Sequence, residues 1–279
     1  MARMPRTTLH VLAASASPFA LVLRRGPSKW WHFLLWNRDT GMIEPGSWFH
    51  GMVYPGQCDL SPRGDYFLLL ALRGCGSPPA WTALCRPPYV RALAFWPQES
   101  ARTGGGYFDE RLPVAWLNIP ADTVVPEVSE RTALEFGYQE EPDQYFGLLA
   151  ERFRRAGWKP NEKQEAGRWA LPSPDGKWEL VLQLAGTALP DPTAPGHENA
   201  GAYALRRRGS TARPLILPEV EWAGWNGKSQ LCLAKGGTLQ TAPPARASEP
   251  VMTLDLRALR PGNGRTLARR PPRTGASAP

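Results

Sequence analysis

Apolar residues in this chain gather in short runs of strand length, separated by turn residues, and only one stretch carries helical spacing. The clearest unit, residues 60–72 "LSPRGDYFLLLAL", returns position for position at residues 172–184 as "PSPDGKWELVLQL". A weaker version stands at residues 222–234, "WAGWNGKSQLCLA". In each, proline or asparagine opens a turn, glycine supplies the positive φ that closes it, and an apolar run follows as a buried strand. The tripeptide Arg63-Gly64-Asp65 falls in this frame. In its echo the same places hold Asp175-Gly176-Lys177, so the frame asks for a turn with polar flanks rather than for a charge order.

Taken as a ruler, such turns centre near residues 16, 64, 110, 176 and 227, at roughly the 40–50-residue period of propeller blades except across one longer gap. Further hairpins are expected at Asp39-Thr40-Gly41, Gly209-Ser210 and Gly236-Gly237. The long gap holds the helical stretch, residues 143–158 "DQYFGLLAERFRRAGW". There Asp143 can cap the start, Gly157 stops the helix, and Arg152, Arg154 and Arg155 suit its C-terminal dipole. The expectation is an all-β fold, a β-propeller of about five four-stranded blades over residues 7–257, with one helical insertion (about 138–160) in the third blade. Residues 258–279, rich in Arg, Pro, Gly and Ser, are expected as a disordered tail.

The stretches "SPRGDYFLLL", "SPDGKWELVL" and "FLLWNRDTG" resemble blade motifs of WD-repeat-like and related prokaryotic β-propeller proteins, with Trp36-Asn37 standing where that family has Trp-Asp. The resemblance implies a disc with a central channel. It also implies a scaffold role, in which one face of the ring engages a protein partner. It transfers no catalytic site.

Composition refines this picture. A hydrophobic content of 42% and 12 tryptophans describe a folded globule. The net charge of +8 is concentrated at the C-terminal end, where Arg246, Arg257, Arg260, Arg265, Arg269, Arg270 and Arg273 face only Glu249 and Asp255. The body thus lacks the domain-wide basic footprint of a nucleic-acid binder. The cysteines Cys58, Cys75, Cys85 and Cys232 form no CxxC pair and read as buried free thiols, so no metal site is expected. The apolar stretch after Arg3 and Arg6 is shorter than a secretory core, and no run approaches a membrane span. The expected setting is cytoplasmic and bacterial, without membrane or cofactor, as a monomer.

No nucleophile elbow, zinc-protease pair or phosphate loop occurs, and no catalytic residue is assigned. His10 and His32 fall inside strands, and His197 lies in a Pro/Gly-rich loop. The adjacent acids Asp109-Glu110 and Glu140-Glu141 do not converge by spacing alone. Gly104-Gly105-Gly106 precedes a strand, which fits a close backbone approach better than a phosphate cradle. Candidate binding residues are Arg24, Arg25, Lys29 and Trp30 in "RRGPSKWW", Trp48, His50 and Tyr54 in "SWFHGMVY", and Gly105 and Tyr107 in the glycine turn. Two other readings stay open at this stage: a hydrolase with carboxylates in the axial channel, and nucleic-acid binding through the arginine tail.

Overall fold

The computed structural model describes residues 7–26, 29–73, 79–101, 103–120, 132–138, 146–160, 167–184 and 201–261, without the side chains of 146–148. Outside these lie Cys75, Glu140-Glu141, Asp143, His197, the first six residues and residues 262–279. The described fold is all-β, with five sheets that succeed one another along the chain.

The first sheet is a meander of β1 (Thr8–Ala13), β2 (Phe19–Arg25), β3 (Trp30–Asn37) and β4 (Ile43–His50). In the second, β5 (Met52–Val53), β7 (Phe67–Leu72), β8 (Ala80–Arg86) and β9 (Tyr89–Gln98) pair in order, and β6 (Asp59–Leu60) joins β7. The third comprises β10 (Gly106–Phe108), β11 (Val114–Leu117) and β12 (Glu135–Tyr138). Helix α1 (Phe146–Arg155) follows. The fourth sheet runs through β13 (Lys159–Pro160), β14 (Arg168–Pro172), β15 (Trp178–Leu184), β16 (Gly201–Arg207) and β17 (Leu215–Leu217). The fifth holds β18 (Val220–Trp225), β19 (Leu231–Lys235), β20 (Thr238–Ala242) and β21 (Met252–Asp255).

Each of the five expected turns lies near the start of a different sheet, before one of its long strands. Two are superimposable in their bonds: Ser61 N and Ser173 N both donate to the carbonyl five residues on, at 2.9 Å. Their hydroxyls accept the N–H of Tyr66 and Trp178, both at 3.0 Å. Arg63 and Asp65 are exposed around Gly64, whose φ is +84°.

Two expectations change. The sheets are not uniformly four-stranded, and in the third β11 and β12 run parallel, a pairing no tight hairpin can make. The helix falls between the third and fourth sheets, not within the third. Its end is as expected: Gly157 has φ +84°, Gly157 N donates to Arg154 O and Trp158 N to Phe153 O, a Schellman cap.

Unbroken apolar strands arise because several strands are covered on both faces. In β7, Phe67, Leu69 and Ala71 enter the core shared with the first sheet, whereas Leu68 enters the core shared with the third. Alternate residues of β2 and β19 are divided in the same way. Cores therefore join the first sheet to the second, the second to the third, the fourth to the fifth, and the fifth to the first.

Among the described residues no strand is exchanged at the junction of the first and fifth sheets. Polar side chains stitch it instead: Leu9 N donates to Glu221 Oε2 at 2.9 Å, and Arg38 donates to Trp225 O at 2.8 Å. Buried Arg24 donates to Leu256 O, Arg257 O and Leu259 O, so ordered contacts extend beyond residue 257.

Candidate functional site

Register along the first sheet collects most of the sequence-derived candidates. Trp30 pairs with His50 and His32 with Trp48 across β3 and β4, and Arg24 pairs with His32 across β2. All five side chains therefore share one sheet face. The His32 and Trp48 rings stack at 4.0 Å and 8°, and Arg24 lies 5.7 Å from the Trp48 ring centre. Trp30 sits 4.9 Å from His50 and meets Trp48 edge-on at 6.4 Å. Trp30 and Trp48 are half-buried and His50 is exposed. Exposed Lys29, with φ +63°, forms the adjoining turn. Burial, and then the Arg24 charge, pull the pKa of His32 down to about 4.

The other candidates lie elsewhere. Arg25 faces the opposite side of the sheet, over Trp31. Tyr54 is buried with Leu70 and Ala80. Gly105 lies against the Gln57 backbone, where a Cβ would come within 1.8 Å of a carbonyl oxygen. Tyr107 is half-buried on β10, opposite Trp116.

A second feature escaped the sequence. A cavity of about 450 Å³ lies among the first strands of the first and fifth sheets, the helix, and β14 to β16. Its wall includes Phe153, Trp158, Tyr203, Trp222 and Trp225. Among the described lining residues the carboxylates are Asp39 and Asp59, and both are engaged. Asp39 Oδ1 accepts Gly227 N at 2.8 Å. Asp59 is clamped by Arg155 through two hydrogen bonds of 2.5 and 2.6 Å and accepts Phe108 N at 2.9 Å. Arg155 also donates to Phe108 O and Leu60 O. Burial opposes its charge, yet the charge and hydrogen bonds of Asp59, with the charges of Glu110 and Asp109, together raise the pKa of Arg155.

Arg38 is held in the same wall by four bonds, donating to the carbonyls of Ala14, Ser17, Pro18 and Trp225. Arg152 donates through Nη1 to Pro55 O and Gly56 O, and its Nε lies 3.7 Å from Asp59. Arg152 and Arg155 were visible in the sequence as the basic end of a helix. Their partners are about a third of the chain away, and no local pattern announces them.

Cys58, Cys85 and Cys232 are buried free thiols; burial raises the pKa of Cys85 to about 12 and of Cys232 to about 11. Among the described residues no group of three or more His, Cys, Asp or Glu side chains is placed to hold a metal ion, and no helix is long and apolar enough to cross a membrane.

No protein-family model and no curated protein matches the chain. Among solved structures it is similar to an uncharacterized protein of Listeria monocytogenes EGD-e, at 10% identity and TM-score 0.33, covering 90% of this chain and 66% of that one. It is also similar to a chain of the Mitotic Checkpoint Complex, at 12% identity and TM-score 0.25, covering 92% of this chain and 70% of that one.

Proposed function

We propose that the five sheets are blades of a β-propeller-type ring around the cavity, and that the chain is a binding scaffold. In this reading an acidic protein partner docks on the Trp30–Trp48–His50 patch, at the end of the first sheet where the β2–β3 turn lies. The observation that carries it is the composition of that patch. Two half-buried tryptophans and a histidine form its centre, with exposed Lys29 at its rim. Aromatic anchors with a polar rim are the usual makeup of binding hot spots. Burial, and then the charge of Arg260, lower the pKa of Arg24; Arg260 thus adds to the local positive field, which favours an acidic partner. The carboxylates of the cavity wall are tied into ion pairs and backbone bonds, which weighs for binding over acid–base hydrolysis.

The test is affinity capture from nuclease-treated lysate of the source cells. Baits are the full chain, a Trp30→Ala/His50→Ala variant and Lys29→Glu, each checked for folding by circular dichroism. The expected result is one protein recovered in near-equimolar amount by the full chain at low salt and lost by both variants. Equal capture by the variants, or no capture above beads, overturns the reading.

A further inference from the structure

We propose that the cavity is a binding site for an amphipathic monocarboxylate, with the carboxylate on Arg152 and the apolar body against the aromatic wall. The charges of the wall single out one group. Leaving His10 aside, the described lining residues bring three cations, Arg38, Arg152 and Arg155, and two anions, Asp39 and Asp59. Arg38 is spent on four carbonyls, and Arg155 on Asp59 and two carbonyls. Arg152 is the surplus cation. Its Nη1 is occupied and its Nε faces Asp59 at the edge of contact, but Nη2 has no hydrogen-bond partner among the described residues. The guanidinium is held by the Pro55 and Gly56 carbonyls at 3.1 and 2.9 Å, so its orientation is fixed before any ligand arrives.

One fixed donor without a described partner, in a wall whose described residues carry one more cation than anions, suits a monoanion better than a phosphate, which calls for several converging donors. The rest of the wall supplies flat apolar surface. Trp158 packs against Tyr203 at 6.4 Å, Phe153 against Trp158 at 5.9 Å, and Trp222 also lines the cavity. A volume of about 450 Å³ lies within the ~300–1,000 Å³ of small-molecule pockets. It accommodates a short aliphatic or single-ring body. The site is independent of the patch on the first sheet, so either can stand without the other.

Octanoate and its neutral counterpart octanol are the probes, titrated into the full chain by calorimetry and by tryptophan fluorescence. Octanoate is expected to bind saturably and one to one, roughly 10- to 100-fold tighter than octanol, the span of a charge-assisted hydrogen bond. Arg152→Gln should reduce octanoate to the affinity of octanol while leaving octanol within about twofold. The octanoate–octanol comparison needs no variant, so it decides the matter even if Arg152→Gln does not fold. Octanol binding as tightly as octanoate, octanoate unaffected by Arg152→Gln, or no saturable binding of either overturns the proposal.

Discussion

Replacing Arg155 with methionine isolates the ion pair that ties the helix to the second and third sheets. The side chains of Arg155 and Asp59 are 8% and 2% exposed, so solvent screens neither. Methionine keeps most of the stem but removes two bonds to the Asp59 carboxylate and the bonds to Leu60 O and Phe108 O. Breaking a buried pair by deleting one partner costs about 3–5 kcal/mol, because a desolvated charge remains. For a chain of this size that lowers Tm by about 6–20 °C. Asp59→Asn removes the opposing charge but keeps an oxygen for Phe108 N. The double variant should therefore recover about 1–3 kcal/mol relative to the sum of the singles. Urea denaturation followed by tryptophan fluorescence gives all four corners of the cycle. A cost below about 1 kcal/mol for Arg155→Met, or strict additivity in the double variant, would refute the argument that this pair is buried and coupled.

Three further outcomes follow from the same structure. His32 has its pKa lowered from 6.5 to about 4, so between those values the unfolded chain binds the extra proton and stability falls as pH drops; the loss at pH 5 is ~2 kcal/mol, and His32→Gln should flatten that part of the urea-midpoint profile, with an unchanged slope counting against the assignment. In a Cys75→Ser chain the native protein should leave Ellman's reagent unreacted at pH 8, and urea should release three thiols; rapid native reaction would contradict the burial of Cys58, Cys85 and Cys232. Gly105→Ala should cost more than ~3 kcal/mol because its Cβ meets the Gln57 carbonyl, whereas Gly176→Ala, with φ +70° and nothing within 4 Å, should cost only ~1–2 kcal/mol; equal effects in thermal melts would show that backbone angle alone sets both.

The parts of the fold legible in the sequence are those held by local bonds. The Ser61 and Ser173 turns close within six residues, and their glycines and prolines act where they stand, so reading one predicted the other. Gly157 likewise ends its helix through bonds within its own last turn. Long-range bonds left no such mark. Asp59 and Arg155 are 96 residues apart, and Leu9 meets Glu221 across 212. Asp59 in particular reads as an ordinary polar residue before "LSPRGD", and only the packed sheets reveal its role. The patch is an intermediate case. Trp30, Trp48 and His50 were picked for residue type, but their common face depends on the register of β3 and β4, including its irregularity between His32 and Leu34. That irregularity lies beyond any alternation rule.

The stitched junction between the first and fifth sheets also bears on how the chain can be recut. Thr7 lies against Gly237, and Leu256 N donates to Gly237 O at 3.0 Å, so the beginning and end of the described body flank one residue. Every sheet is built from a contiguous stretch of chain, apart from the helix that bridges the third and fourth. A short glycine–serine linker from residue 261 to residue 7, with new ends opened at the exposed Gly209-Ser210 turn, would preserve the long strands of every sheet. Only β17 would be parted from β16 in sequence. Such a permuted chain should retain the Arg24 and Arg38 contacts, now within an unbroken stretch of polypeptide.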